Sequence, residues 1–160
     1  MIYTTLNKIR DCRPCADGWG QLLKHLGKTQ ADDEPLGFDV ILVSNGIDDA
    51  LWCCRSVPKH DKTWRLFAVW CARQVQHLMT DPRSIAAIDV AERYANGLAT
   101  DEEMSAANAA ARAVARDASW AAACDAARAV ARVAEMYYPA SNAIRESQTT
   151  HFLEMINEVK

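Results

Sequence analysis

The chain lacks any run of about 18 uncharged apolar residues, so no membrane-spanning helix is expected. Its opening residues, Met1-Ile2-Tyr3-Thr4-Thr5-Leu6-Asn7-Lys8-Ile9-Arg10, have no apolar core of the kind a secretory signal needs. The expected location is therefore the cytoplasm, that of a host cell in the functional reading below. Glycine is scarce and dispersed, and Gly18-Trp19-Gly20 lacks the lysine and spacing of a phosphate-binding loop. An excess of either charge is missing too: 18 basic against 21 acidic side chains leave a net charge of −3. That balance favours neither a nucleic-acid binder held by bulk electrostatics nor an acidic mimic of DNA. Nucleic acid and membrane are thus not expected partners.

What is present is helix signal, almost without interruption. The 160 residues suit one domain with one hydrophobic core, and the expected class is all-α. Residues 1–96 read as a Trp-rich helical core and 100–160 as an alanine-rich long helix followed by an amphipathic one. Ile2, Leu6 and Ile9 have helical spacing over 2–10. Trp19, Leu22, Leu23 and Leu26 have it over 16–26, with Gly27 where a cap glycine belongs. Residues 30–35 read as a surface loop ending in Pro35. Val40-Ile41-Leu42-Val43 has the composition of a strand, but no second β-rich run exists to pair with it. The segment 36–45 is therefore read as a short helix ending at Asn45-Gly46, with another helix over 47–56. Residues 61–79 put Trp64, Phe67, Ala68, Cys71, Val75 and Leu78 on one stripe. Asp81-Pro82 supplies a cap and first-turn proline for a helix reaching Asn96 and stopping at Gly97.

Thr100-Asp101-Glu102-Glu103 is a capping box, and from there to Tyr138 no glycine or proline intervenes. A helix over about 101–137 is expected, stopped by Pro139, with a last helix over about 142–159. At about 100° per residue, Met104, Ala107, Ala111, Ala115, Ala118, Ala122, Ala126, Ala129, Val133 and Met136 form one apolar stripe. The hexapeptide Ala-Arg-Ala-Val-Ala-Arg occurs at 111–116 and again at 127–132. The offset turns the helix by about 160°, which puts Arg112 and Arg116 on one flank and Arg128 and Arg132 on the other. Small side chains let a partner helix approach closely, while each contact buries little area. A straight helix of this length spans roughly 55 Å, against a radius of gyration of about 15 Å for a compact domain of this size. A bend at Asp117 or Ser119 is therefore expected.

Four groups invite a chemical reading. Cys12-Arg13-Pro14-Cys15 has redox or metal spacing before a helix, yet no buried strand precedes it and no second close cysteine pair completes a zinc set. The six cysteines are read as reduced, and Cys12 and Cys15 as loop residues. His60-Asp61 and His151 with Glu154 sit in no catalytic pattern. No catalytic, metal or cofactor site is expected. Trp120, the one aromatic in the alanine field, is read as a plug among small residues rather than an exposed anchor. Arg112, Arg116, Trp120, Arg128 and Arg132 are the candidate interaction surface.

Three runs carry a family resemblance: Cys15-Ala16-Asp17-Gly18-Trp19, Asp48-Asp49-Ala50-Leu51-Trp52, and Arg65-Leu66-Phe67-Ala68-Val69-Trp70-Cys71-Ala72-Arg73. Together with the alanine-arginine-tryptophan-aspartate tract, they make the chain resemble alanine-rich phage and prophage proteins of unassigned role. Those proteins are grouped with immunity proteins of polymorphic toxin systems. The resemblance implies an α-helical, non-enzymatic, phage-encoded protein with no catalytic residues to carry over. The expected function is inhibition of a host-defence protein, in the manner of an anti-CRISPR, or neutralisation of a toxin, by direct contact with a host or competitor protein. The alternatives are a scaffold that self-associates into a homo-oligomer through its alanine stripes, and a small enzyme or ligand carrier with a pocket between the Trp-rich N-terminal helices.

Overall fold

The computed structural model describes residues 1–74 and 76–158, and within these the side chains of all but 114–142. The fold is all-α, with a two-residue strand pair as the only sheet among the described residues. Its elements are β1 (Tyr3–Thr4), α1 (Leu6–Asp11), α2 (Ala16–Leu26), β2 (Leu36–Gly37), α3 (Phe38–Cys53), α4 (Asp61–Gln74), α5 (Pro82–Ala95) and α6 (Asp101–Glu158). Contacts divide the chain into two compact units, Met1–Asp61 with Arg145–Lys160, and Lys62–Ile144.

The first unit opens with a correction. The helix expected over 2–10 starts only at Leu6, because Thr5 is its N-cap and accepts from the Lys8 amide at 3.2 Å. The β-branched residue before it takes extended backbone, and β1 pairs antiparallel with β2 in the register Tyr3↔Gly37, Thr4↔Leu36. The segment after Pro35 thus does contain a strand residue pair before it turns helical. α2 ends as its sequence demands, with Gly27 left-handed at φ 64 and its amide closing the last turn. α3 merges the two expected helices across a kink at Gly46, whose φ of 82 only glycine adopts freely.

The core of this unit comes from both ends of the chain. Phe38 and Phe152 are both fully buried, with ring centroids 6.2 Å apart, and Ile2, Ile41 and Ile156 are buried as completely. Arg145 reaches Asp48 at 2.8 Å on the surface of the same unit. Beneath the strands, Ser56 Oγ donates to the Cys53 carbonyl at 2.7 Å, so the buried contact of 2.7 Å between Thr4 Oγ1 and Ser56 Oγ has Thr4 as donor.

In the second unit, α4 is shorter than its apolar pattern. It ends at Gln74, a 3₁₀ turn covers Gln76–Leu78, and Leu78 is exposed rather than part of a buried stripe. Tightening of the last turn is a common helix ending, and Arg73 holds this one by bonding Gln76 Oε1 at 2.8 Å. Phe67 and Val69 are buried in α4, and Ala68 between them is exposed. Arg73 also clamps α5, at 2.7 Å from Asp89 and 2.6 Å from Glu92. α5 begins on the Asp81 cap and ends before Gly97, left-handed at φ 72. The capping box forms reciprocally: the Glu103 amide bonds Thr100 Oγ1 at 3.2 Å and the Thr100 amide bonds Glu103 Oε2 at 2.8 Å.

α6 runs from Asp101 to Glu158, so Pro139 does not end it and no second helix starts at 142. A proline inside a helix costs about 3 kcal/mol, and the alanine-rich flanks have the highest helix propensity of any residue. The described head of the apolar stripe, Met104, Ala107 and Ala111, is half-buried. Met104 and Ala111 face a groove of about 400 Å³ shared with Ala68 and Ala72 of α4 and Ala87 and Ala91 of α5. The remainder of the stripe, and the bend expected at Asp117 or Ser119, lie outside the described side chains.

Candidate functional site

Two helical faces in the first unit converge. On α2 and the residue that caps it, Cys15, Gly18, Trp19 and Leu22 fall at helical spacing. On α3, Ile41 and Asn45 lie one turn apart before the Gly46 kink, and Asp49 and Trp52 one turn apart after it. Between them lies a cleft of about 190 Å³, completed by Ile9, Pro14 and Cys53.

The helices are held together by one amide. Asn45 Nδ2 donates to the Gly18 carbonyl at 2.8 Å and to Asp49 Oδ2 at 2.8 Å, while its Oδ1 accepts from Ser44 Oγ at 2.6 Å. Both amide protons are therefore used. Gln21 adds a second tie, donating from Nε2 to the Ser44 carbonyl at 2.6 Å. Gly18 keeps this contact close: a Cβ on it would lie 2.7 Å from Asp49 Oδ2 and 3.3 Å from Cys15 Sγ, so the Asp49 carboxylate would have to turn away.

Cys15 is exposed and caps α2, its Sγ accepting from the Gly18 amide at 3.4 Å. Cys53 is buried, and burial first, then the neighbouring Asp49 carboxylate and Cys12, push its thiol from 9.0 to about 12. Cys54 is pushed to about 12 as well, by burial and then by Cys53. The Cys12-x-x-Cys15 pair and Cys53 thus lie in one neighbourhood, with all three thiols free. Among the described residues no group of three His, Cys, Asp or Glu is arranged to hold a metal ion.

Trp52 forms one wall, and its ring carries the Arg55 guanidinium at 4.3 Å from the centroid. Arg55 also donates to the Trp52 carbonyl at 2.8 Å. Trp19 and Trp52 are both half-buried. They are therefore only partly enclosed, and both line the cleft.

The other sequence candidates fall elsewhere. Arg112 is exposed and lines a polar hollow of about 370 Å³ in the second unit with Arg65, Tyr94, Asp101, Ser105 and Asn108. In that hollow Arg65 lies 4.9 Å from the Tyr94 ring centroid, and Tyr94 Oη donates to Asp101 at 2.6 Å. Arg116, Trp120, Arg128 and Arg132 lie outside the described side chains. His151 Nδ1 meets Glu154 at 3.4 Å on the surface of the C-terminal segment. His60 is held below its usual range by burial, then by Lys59 and the N-terminal ammonium.

Sequence reasoning named neither Asn45 nor Asp49 as a site residue. The Asp49–Trp52 spacing on α3 and the face through Cys15, Gly18 and Trp19 on α2 are signals in the sequence, but Asn45 lies across the Gly46 kink, where helical spacing does not relate it to Asp49.

Comparison with protein-family models, with curated proteins and with solved structures finds no match to this chain.

Proposed function

We propose that the protein acts by direct contact, as a phage-encoded, non-enzymatic binding protein that inhibits a host-defence protein or neutralises a toxin. The cleft is the observation that supports this reading. Two of the runs that carry the family resemblance, Cys15–Trp19 and Asp48–Trp52, supply its facing walls. Half-buried tryptophans in a small recess are the residues that most often dominate contact energy. Both N–H groups of the amide that ties the walls together are committed within the protein, so the recess is preorganised.

The test is protection of a bacterial host cell. Expressed with a toxin, or before challenge with a phage that a defence system restricts, the protein should restore colony or plaque counts. Trp19→Ala and Trp52→Ala should each abolish that effect without lowering the level of folded protein. Protection that survives both substitutions removes the cleft from the function, and no protection against any system tried removes the reading itself.

A second reading, the self-associating scaffold, is favoured by the small-residue groove between Ala68, Ala72, Ala87 and Ala91. Light scattering at high concentration decides it: the scaffold reading requires a concentration-dependent rise in mass, and a strict monomer ends it.

A further inference from the structure

The lining of the cleft bears one formal charge, and it is negative. Asp49 is half-buried and shares the lining with two indole rings and six aliphatic or sulfur-bearing side chains. Its Oδ2 accepts from Asn45, a neutral amide that leaves the carboxylate charge uncompensated. Its Oδ1 has no hydrogen-bond or ion-pair partner among the described residues. The amide protons of Asn45 and the backbone N–H of Gly18 are already committed, to Gly18 O and Asp49 and to Cys15 Sγ respectively. Arg55, over the Trp52 ring, is not among the lining residues, so an anionic group entering here meets the Asp49 carboxylate directly. A purely apolar group covers that carboxylate without pairing it, which is costly.

A cation resolves both problems. We propose that the cleft between α2 and α3 is a receptor for a single cationic side chain, arginine foremost, presented by the protein's partner. This rests on the contact reading given above. Indole faces attract a cation through their quadrupole, and Trp52 already accepts one guanidinium, that of Arg55. The recess of about 190 Å³ is smaller than the roughly 300–1,000 Å³ that drug-sized ligands occupy. It suits one side chain. Arginine fits better than lysine because its planar guanidinium stacks on an indole while its fork of N–H groups reaches a carboxylate oxygen.

The test uses the whole purified protein and three capped amino acids as probes: N-acetyl-arginine methylamide, its norleucine counterpart and its glutamate counterpart. Indole N–H signals of Trp19 and Trp52, assigned by single Trp→Phe variants, are followed by NMR during titration. The arginine probe should shift both signals saturably, norleucine should bind about tenfold more weakly, and glutamate should leave them unmoved. Asp49→Asn, which keeps an acceptor for Asn45, should bring the arginine and norleucine affinities together. No shift with arginine, equal affinities in the wild type, or an arginine preference that survives Asp49→Asn each overturns the proposal. A partner that still depends on Trp19 and Trp52 in cells would then leave the contact reading standing without its charge specificity.

Discussion

At the scale of the residue, the cleft depends on what Gly18 does not have. Gly18→Ala places a methyl 2.7 Å from Asp49 Oδ2, so the carboxylate must turn away and its bond from Asn45 is weakened. Loss of that bond, about 0.5–1.5 kcal/mol, offsets the helix preference for alanine, so Gly18→Ala should be neutral or destabilising by up to about 1 kcal/mol. Gly20, two positions on in the same helix, has nothing within 4 Å of an added Cβ. Gly20→Ala should therefore stabilise by about 0.5–1 kcal/mol, the ordinary helix preference. Urea denaturation of the two variants checks the contrast, and equal effects would mean that the tie between Gly18, Asn45 and Asp49 is not formed.

Cys53 and Cys54 give the residue-scale prediction in pH. Both thiols ionise near 12 when folded, against 9.0 when free of the fold. Between those values the unfolded chain has lost protons that the folded one keeps, so stability is full below about pH 9 and falls as pH rises toward 12. At pH 10 the pair should have cost about 2–3 kcal/mol. Denaturation midpoints at pH 8 and pH 10 should differ by less in a Cys53→Ala, Cys54→Ala variant. An equal pH dependence in both proteins would show that these thiols are not protected.

At the scale of the element, the ends of helices were legible wherever a local chemical signal marks them. Gly27, the Asp81-Pro82 start and the Thr100–Glu103 capping box all behave as their residue types require. Boundaries without such a signal were not legible. Thr5 caps α1 inside an apolar pattern that continues toward the N-terminus. α4 stops before Leu78 although the stripe runs on, because Arg73 spends its guanidinium on Gln76, Asp89 and Glu92, the last two in the next helix. Pro139 misled in the opposite direction, since alanine-rich helix surrounds it. The cleft was half legible. The α2 wall follows from 3.6-residue spacing, but the α3 wall is broken at Gly46 and its placing against α2 depends on the Asn45 bonds, which no periodicity encodes.

At the scale of the whole molecule, the first unit is closed by sequence from the far end of the chain. Phe152 and Ile156 are fully buried with Phe38 and Ile41. Nothing in the local pattern of either segment names the other. Phe152→Ala should cost about 3–5 kcal/mol. Amide exchange should rise in α1 and α3 of the first unit, while α5 in the second keeps its protection. Uniform loss across both units, or a cost under about 1 kcal/mol, would show that the C-terminal segment does not complete this core.

The most direct measurement of the central claim, that the cleft is the contact surface, is affinity capture from phage-infected host cells with the wild type and Trp19→Ala in parallel. The account predicts one protein enriched by the wild type and lost with Trp19→Ala, whose thermal unfolding remains cooperative. A partner recovered equally by both proteins would contradict it.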